Sequence, residues 1–418
     1  MAVSDVDLLD YDNFWLGSIE DRDAGFAELR ANPISFHPEP KIEPLPDGPG
    51  YWAITRHADI VEISRRPDDF CSGEGSNITT TPPEFRDFFG SMINMDDPRH
   101  ARLRKLVSAG FTPRTLAKVD TDVDRIAATI VDDISDRGSC DFVTDVAARL
   151  PLEIICEMMA VPPSQYAFVF DQTNIILSNG DPEFIPPGED VITAFLTAGA
   201  NLAELMNDVA ETRKGRDGDD LTTALVNAEI DGDRLSREEL QSFFVLLCAA
   251  GNETTRNAIS WGLHLLTENP EQYQRLREDF DATMPTAVEE IVRVSSPVLH
   301  FRRTVTRDGV RLGDHEFQAG EKVVLWYVAG NRDESIFENP HRFDVTRNPN
   351  NHLGFGGPGP HFCLGAHLAR REISVMFREL TSRLPDLHAS GPPDRLRSHF
   401  INGIKHLPCE FTPVGQSS

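Results

Sequence analysis

The stretch LGFGGPGPHFCLGAHLARRE, residues 353–372, is the most informative part of this chain. Its first half is a loop rich in glycine and proline, and the residues after Cys363 follow the amphipathic pattern of a helix. A cysteine at the start of a helix lies near unpaired backbone N–H groups and positive potential, which favour thiolate over thiol. Glycines let such a loop approach a flat ligand closely. The pattern predicts a thiolate ligand for haem iron, and a free cysteine buried as a small apolar residue is the alternative.

The same loop also contains the spacing of a dinucleotide-binding motif. Gly354, Gly356 and Gly359 satisfy G-x-G-x-x-G. That motif needs a hydrophobic strand directly before the glycines and a helix directly after them. Here RNPNNH at 347–352 precedes the glycines, and two prolines interrupt the segment. We therefore expect no nucleotide to bind at this loop.

The overall composition limits the classes of protein that need to be considered. The chain has 418 residues, of which 40% are hydrophobic and 26% are charged, as in a globular protein with a sizeable core. The net charge of −27 argues against binding to nucleic acid, which needs a basic surface. No window contains the roughly 18–20 uninterrupted apolar residues of a membrane span. The acidic N-terminal residues and six scattered cysteines predict a soluble, reduced, cytoplasmic protein.

Helical patterns dominate between about residues 98 and 300, and the clearest helix runs from about Ser236 to about Thr267. Ser236 and Glu239 form a capping box before an apolar run. At 1.5 Å per residue this helix would be about 50 Å long and would cross a domain. Its middle, CAAGNETT at 248–255, combines small residues with a glycine and polar groups. Such residues leave room for a ligand against the helix, or for close packing with another helix.

The β-structure predicted from the sequence is small. Residues 31–50 are predicted to be irregular because they are rich in Pro and Gly, and residues 51–54 to form a short strand. The segments VRLGDHEF (310–317) and EKVVLWYV (321–328) are predicted to pair with each other as a hairpin. The resulting fold class is mainly α with a minor β region, and no change of composition requires a domain boundary.

Four motifs, added to the cysteine loop, resemble those of the cytochrome P-450 family. They are EIVR at 290–293, PHRF at 340–343, AGNETT at 250–255 and DDPRHARLR at 96–104. The resemblance covers essentially the whole chain. It implies a single triangular cytochrome P-450 domain over residues 1–418, with haem b as cofactor and O₂ as co-substrate. The reaction implied is insertion of one oxygen atom into a C–H bond.

Two features of these motifs indicate a subgroup of the family. Phe355 lies eight residues before Cys363, so the loop is one residue longer than the family's usual loop. Loops of this length, together with GNETTRNA at 251–258, resemble those of actinobacterial enzymes that act on steroids and methyl-branched lipids. Glu253 stands where the family more commonly has an aspartate. This departure affects the path by which protons would be delivered, and not the type of reaction.

The resemblance also implies roles for individual residues. Cys363 would be the axial ligand of the iron, and Phe355 would lie in the cofactor site. The haem propionates would be bound by His100, Arg104, Arg303 and His361, each of which could instead form an ordinary ion pair; Arg302 could take the place of Arg303. Glu253 and Thr254 would deliver protons for oxygen activation, unless Glu253 forms a salt bridge and Thr254 bonds to the backbone. Glu290, Arg293 and Arg342 would form a buried ion-pair triad behind the cysteine loop.

Family position further implies an apolar substrate site, although each of its residues could equally belong to the core. The predicted contacts are Ile93, Leu246, Ala250, Val298, Leu299, Phe301 and Phe400. Electrons would come from NAD(P)H through a ferredoxin reductase and a ferredoxin. A basic surface for the acidic ferredoxin is predicted to comprise Arg65, Arg66, Arg104, Lys105, Arg114, Arg370 and Arg371.

The sequence thus predicts a haem-thiolate monooxygenase that hydroxylates a hydrophobic small molecule. The subgroup resemblance favours a position at or near the end of a methyl-branched lipid, isoprenoid or sterol side chain. A terpene or polyketide tailoring hydroxylase is an alternative that shares the same core motifs. A peroxide-driven haem-thiolate enzyme, and a haem-binding sensor or lipid carrier without turnover, are more remote alternatives.

Overall fold

The computed structural model of the chain describes residues 6–41, 47–111, 113–178, 180–229 and 232–415. Helices make up most of the described residues, as the sequence predicts. The α-helices are α1 (Ile19–Ala31), α2 (His57–Ser64), α3 (Pro83–Gly90), α4 (Arg99–Gly110), α5 (Pro113–Ile134), α6 (Arg149–Met158), α7 (Tyr166–Leu177), α8 (Val191–Arg213), α9 (Leu221–Asn227), α10 (Arg237–Glu268), α11 (Pro270–Glu278), α12 (Phe280–Ser295), α13 (Tyr327–Gly330) and α14 (Ala366–Arg383).

Helix α10 confirms the long helix predicted from the sequence, and its 32 residues run through the main apolar core. Both hydrogen bonds of the capping box are present at its start. The Ser236 Oγ accepts from the Glu239 backbone N–H at 3.1 Å, and a Glu239 carboxylate oxygen accepts from the Ser236 N–H at 2.9 Å. The helix stays continuous through its small residues. A Cβ at Gly251 would lie 2.8 Å from the Ile155 side chain, so close packing against α6 explains this glycine.

The strands form small sheets. They are β1 (Ile34–His37), β2 (Tyr51–Ile54), β3 (Phe70–Cys71), β4 (Ser139–Asp141), β5 (His300–Val305), β6 (Val310–Leu312), β7 (His315–Phe317), β8 (Lys322–Trp326), β9 (His388–Ala389), β10 (Asp394–Arg395), β11 (Ile404–His406) and β12 (Pro408–Glu410). The largest sheet has the order β1-β2-β8-β5-β3. Strand β2 confirms the strand predicted at 51–54. Strand β1 corrects the prediction of irregular structure for residues 31–50, of which residues 42–46 lie outside the described part.

The predicted hairpin between residues 310–317 and 321–328 is wrong. Strands β6 and β7 pair with each other around Gly313, which has φ of +55°, so the first segment closes a hairpin by itself. Strand β8 instead pairs in parallel with β2 and antiparallel with β5. Both segments alternate in a way that fits a strand, and only the tertiary structure decides which neighbour each strand takes.

Apolar side chains of the long helices form the main core, and a smaller cluster surrounds Trp326 beside the largest sheet. Strand β5 contributes Val305 to a third cluster, so β5 and α10 belong to different packing units, and both carry residues predicted for the site. Within the described ranges, no helix is long and apolar enough to cross a membrane.

Candidate active site

The cysteine loop is held closely against its surroundings. The backbone N–H of Cys363 donates to the Phe355 carbonyl at 3.1 Å, which closes the loop on itself. Gly356 has φ of +85°, a conformation that favours glycine. A Cβ at Gly359 would lie 2.2 Å from the carbonyl oxygen of Ser64, at the end of α2. These glycines are therefore needed for backbone conformation and for close approach to α2, whereas the predicted close approach to a flat ligand stays a prediction.

The Cys363 thiol is accessible, yet it lies in a recess of the protein rather than on an open surface. Burial raises the pKa of this thiol, and the opposing effects of the Gly365 backbone N–H, Arg104 and Arg370 are smaller. In the protein alone, burial thus opposes the effect of the helix N-terminus on this thiol, and thiolate ligation by Cys363 stays a prediction. A bound metal ion would supply the charge that ionises a coordinating thiol.

The residues predicted to bind propionates come together beside the cysteine loop. The rings of His100 and His361 have centroids 4.4 Å apart. Arg104 donates to the carbonyl oxygens of Pro360 and Phe362, both at 2.9 Å, and so holds the backbone on either side of His361. Burial, followed by the charges of Arg303, His100 and Arg104, lowers the pKa of His361 to about 3. The side chains of α4, β5 and the cysteine loop thus converge on one site, to which Arg104 and Arg303 give positive charge.

Strand β5 resolves the choice between its two arginines. Arg302 is buried, and its guanidinium donates to the carbonyl oxygens of Glu74 and, at 3.2 Å, Gly75. Arg303 is also buried, and after burial its charge has the largest effect in lowering the pKa of His361. Because alternate residues of a strand point to opposite faces, Arg303 and not Arg302 faces the cysteine loop.

The residues present fit a haem group. Two of the four converging side chains, Arg104 and Arg303, carry positive charge, and the rings of His100 and His361 can hydrogen-bond, which together suits two propionates. Nε2 of His100 is buried and has no hydrogen-bond partner among the described residues, so it is available to a ligand. Cys363 lies two residues beyond His361 in the same loop. A thiolate at Cys363 would hold the iron of haem, and the side chains beside it would hold the two haem propionates.

The middle of α10 faces an internal space. Ala250 is exposed, and Leu246, Gly251 and Thr254 are partly exposed, although most residues of the helix are buried. These positions recur at three- and four-residue intervals and therefore share one face. A helix that passes through the core can expose such a face only where a cavity lies beside it. This face fits the prediction that the small residues leave room for a ligand.

Glu253 and Thr254 both have partners within the protein. The Thr254 hydroxyl donates to the Ala250 carbonyl at 2.7 Å. Glu253 is buried and forms an ion pair with Arg256, and Asn257 donates to the same carboxylate oxygen at 3.0 Å. Both of the alternative contacts named from the sequence are therefore present, and proton delivery by these two residues stays a prediction.

The buried ion-pair triad exists, but its third member is not Arg342. Glu290 and Arg293 pair with an Nε–Oε2 distance of 2.7 Å, and Arg347 is the second arginine on Glu290 at 3.0 Å. The Arg342 side chain is exposed, and this residue contributes only its carbonyl oxygen, which accepts from Arg293 and Arg347. The backbone turn after residue 340 carries the next arginine, five positions later, into the place predicted for Arg342.

A second ion cluster near the loop was not predicted from the sequence. Glu289 accepts from Arg370 at 2.5 Å and contacts the His352 ring at 2.8 Å. The guanidinium carbon of Arg370 lies 4.3 Å from the centroid of the Phe355 ring. Burial alone would raise the pKa of Glu289, but Arg370 and His352 lower it to about 2. The only sequence signal is that Glu289 adjoins Glu290 on α12.

Six of the seven residues predicted to contact the substrate are at least partly accessible, and Leu299 is not. The accessible residues are Ile93, Leu246, Ala250, Val298, Phe301 and Phe400. The rings of Phe301 and Phe400 have centroids 5.8 Å apart, so they form one aromatic surface. Leu299 is fully buried in the cluster around Trp326. Its backbone bonds to Phe400 and Val328 hold it there, so it is a core residue rather than a substrate contact.

Most of the predicted basic surface is neutralised by carboxylates of the same chain. Arg66 pairs with Glu62 and Asp69, Arg114 with Asp219, Arg370 with Glu289, and Arg371 with Asp120 and Asp124. Arg65 is exposed and makes no ion pair within the described residues. The surface around the loop is thus less basic than a count of its arginines indicates.

Comparisons with known proteins identify the family. The cytochrome P-450 family model matches residues 194–384. The methyl-branched lipid omega-hydroxylase of Mycobacterium tuberculosis (strain ATCC 25618 / H37Rv) is 47% identical over 417 residues, covering 99% of this chain and 96% of that protein. The steroid C26-monooxygenase of Mycolicibacterium smegmatis is 39% identical, covering 88% of this chain and 85% of that protein.

A solved structure of a cytochrome P-450 has the same fold as this chain. The Mycobacterium marinum cytochrome P-450 in complex with pseudoionone superposes with a TM-score of 0.92, at 42% identity, covering 98% of this chain and 99% of that chain. The fold and the relatives together define a haem-containing monooxygenase. The chain belongs to the cytochrome P-450 family and is a cytochrome P-450 monooxygenase, an enzyme that uses haem iron and O₂.

Proposed function

We propose that this enzyme hydroxylates a methyl-branched lipid, an isoprenoid or a sterol side chain, at or near the end of the chain. The observation that carries this proposal is the 47% identity, over 99% of this chain, to a methyl-branched lipid omega-hydroxylase. The relative named as a steroid C26-monooxygenase supports the same class of chemistry, oxidation of a branched alkyl chain.

The accessible residues of the site support an apolar substrate. Ala250 and Leu246 on α10, together with Phe301 and Phe400, offer a surface of aliphatic and aromatic carbon. Such a surface positions a substrate by shape and by removal of apolar area from water, rather than by charge.

The residues of the chain divide the remaining work. Haem, when bound, supplies the activation of O₂ and the insertion of oxygen. Cys363 would hold the iron, and His100, Arg104, Arg303 and His361 would hold the propionates. Glu253 and Thr254 would hold and pass on the protons that the reaction needs. Glu290, Arg293 and Arg347 keep the cysteine loop in place.

Electrons would come from NAD(P)H through a reductase and a ferredoxin in the cytoplasm. Arg65 is the exposed cation next to Ser64, which the cysteine loop contacts, so it lies where a small acidic protein could dock. Arg65→Glu should slow reduction by ferredoxin at low salt, and Arg216→Glu, in an exposed loop after α8, is the matched control. Equal reduction rates for the two variants would exclude Arg65 from docking.

An optical titration of the ferric protein tests the substrate class. A branched isoprenoid lipid and a sterol are added separately, and the shift of the Soret band toward high spin is measured. A saturating shift, followed by a terminally hydroxylated product with ferredoxin and reductase, supports the proposal. An intact haem band that neither compound shifts would contradict it and favour a tailoring hydroxylase of other substrates.

A further inference from the structure

A small group of polar side chains is buried where α10 meets α7. Glu253, Arg256 and Asn257 on α10 are 1%, 4% and 0% exposed, and Asn174 on α7 is 7% exposed. Charged groups this deeply buried are costly unless they are paired. The proposed function uses only Glu253 among these four residues, so the role of the other three needs an explanation.

The bonds within this group lead from Glu253 to two other elements. One carboxylate oxygen of Glu253 accepts from Arg256, and Arg256 donates from its other terminal nitrogen to the Asn174 side chain at 2.7 Å. Asn257 donates to the same Glu253 oxygen at 3.0 Å and accepts from the Ile404 backbone N–H at 3.1 Å. The carboxylate is therefore connected to α7 through Arg256 and to β11 through Asn257.

The second carboxylate oxygen of Glu253 has a different environment. It is buried and has no hydrogen-bond partner in the described part of the chain, and neither does Nε of Arg256. Both side-chain polar atoms of Asn252, the residue before Glu253, are in the same situation. One oxygen of Glu253 is thus held by two donors, while the other is free to take part in another hydrogen bond.

We infer that Arg256 is a positioning residue for proton delivery, and that it holds Glu253 in place through a link to Asn174 on α7. The inference rests on the proposed role of Glu253. Arg256 fixes one carboxylate oxygen, so the other stays directed for exchange of a proton. Because Arg256 is itself held by Asn174, a displacement of α7 changes the position of the carboxylate.

Variants of Arg256 test this inference through two routes to the same product. The route through O₂ and ferredoxin needs proton delivery, whereas hydrogen peroxide brings both the protons and the electrons with the oxygen. Arg256→Gln should lower the product formed per NAD(P)H consumed by roughly tenfold. Product formation driven by peroxide, and the dissociation constant from the optical titration, should be unchanged. Arg256→Lys should restore part of the yield, because it keeps the charge.

A matched control separates this role from loss of packing. Arg332 forms a similarly buried ion pair with Asp23, with side chains 4% and 8% exposed, and neither residue lies on α10. Arg332→Gln should reduce stability while leaving the yield of product per NAD(P)H unchanged. Equal losses on the O₂ and peroxide routes in Arg256→Gln would show plain structural damage and would overturn the inference.

The link to α7 has a test that needs no turnover. Urea unfolding midpoints are measured for Asn174→Ala, Arg256→Gln and the double variant. Non-additive midpoints are expected, because the two side chains share a hydrogen bond. Additive midpoints would show that Asn174 does not hold Arg256 in place. An unchanged yield in Glu253→Gln would refute the proposed role of Glu253 itself, whereas an impaired Glu253→Gln with a normal Arg256→Gln would refute only the inference about Arg256.

Discussion

Two buried ion clusters of this enzyme are built in different ways. Behind the cysteine loop, the five N–H groups of Arg293 are all bonded, to Glu290 and to the carbonyl oxygens of Asn331, Pro340 and Arg342. In the middle of α10, Glu253 and Arg256 each have one polar atom without a partner among the described residues. The first cluster joins α12 to the chain before the cysteine loop, and the second joins α10 to α7.

This difference in bonding suits the buried charges of the two clusters to different roles. An ion cluster whose charged groups are bonded through all their polar atoms is rigid, and removing one member leaves the other charges unpaired. A cluster with spare hydrogen-bonding capacity can exchange a partner without losing its main ion pair. The first arrangement suits a support for the iron ligand, and the second suits a group that handles protons.

The largest expected effect is the loss of the support cluster. Glu290→Ala should reduce the free energy of unfolding by about 3–5 kcal/mol, because Arg293 and Arg347 would remain buried without their counter-charge. Urea denaturation and the haem content of the purified protein measure this. Arg347→Ala should also be strongly destabilising, whereas Arg342→Ala should change the free energy by no more than about 0.5 kcal/mol, since its side chain is exposed. Equal effects of the two arginine variants would contradict the corrected triad.

Substitution in the second cluster should affect turnover more than stability. Glu253→Gln keeps an acceptor oxygen for Arg256 but removes the proton-exchanging group. Product formation with O₂ and ferredoxin should fall about 100-fold, as is typical for loss of a general acid or base. Steady-state product analysis measures the fall, and a midpoint of unfolding closer to wild type than that of Glu290→Gln completes the contrast. A variant with full turnover would break the comparison.

Glu372 on α14 is a further buried carboxylate, and its titration should make the free energy of unfolding depend on pH. Burial raises the pKa of Glu372 to about 8, and the Thr255 hydroxyl opposes the shift. An unfolded glutamate has a pKa of about 4.3, so the unfolded chain releases this proton first. The contribution of Glu372 to stability is therefore complete below that pH and is lost as the pH rises toward about 8.

Glu372→Gln, which cannot ionise, should remove this dependence. At pH 8 the variant should be more stable than wild type by several kcal/mol, and the difference should vanish near pH 4. Urea midpoints at several pH values provide the measurement. A difference that does not change with pH would show that Glu372 keeps the same charge in the folded and unfolded states.

The smallest expected effect lies at the start of α10, far along the helix from its functional middle. Ser236→Ala removes one bond of the capping box and should cost about 1 kcal/mol of stability. Thermal unfolding measures this, and the yield of product per NAD(P)H should stay at the wild-type value. A changed yield would mean that the end of the helix also controls the position of Glu253.

Much of the fold and of the site could be predicted from local patterns. The capping box and apolar run predicted α10 because both signals lie within consecutive turns of one helix. The glycines and Cys363 predicted the loop for the same reason, since they act on neighbouring backbone atoms. His100, Arg104, Arg303 and His361 were assigned by resemblance, and the structure brings these four residues together.

Other features depended on long-range packing and were predicted wrongly or not at all. Arg342 and Arg347 are both arginines of one loop, and only the path of the backbone decides which of them reaches Glu290. Leu299 has the same apolar character as Val298, but its burial beside Trp326 makes it a core residue.

The sequence by itself determined the long helix, because its signals lie close together along the chain, and the membership of the family, because each of the separate motifs is local. The tertiary structure decided the partners of the strands, the third member of the ion triad, and the link from Glu253 through Arg256 to Asn174. It also decided the direction in which burial shifts the pKa of the Cys363 thiol, since a pKa depends on how much water and charge the folded chain leaves around the group. These properties come from groups distant in sequence, which no local pattern can place.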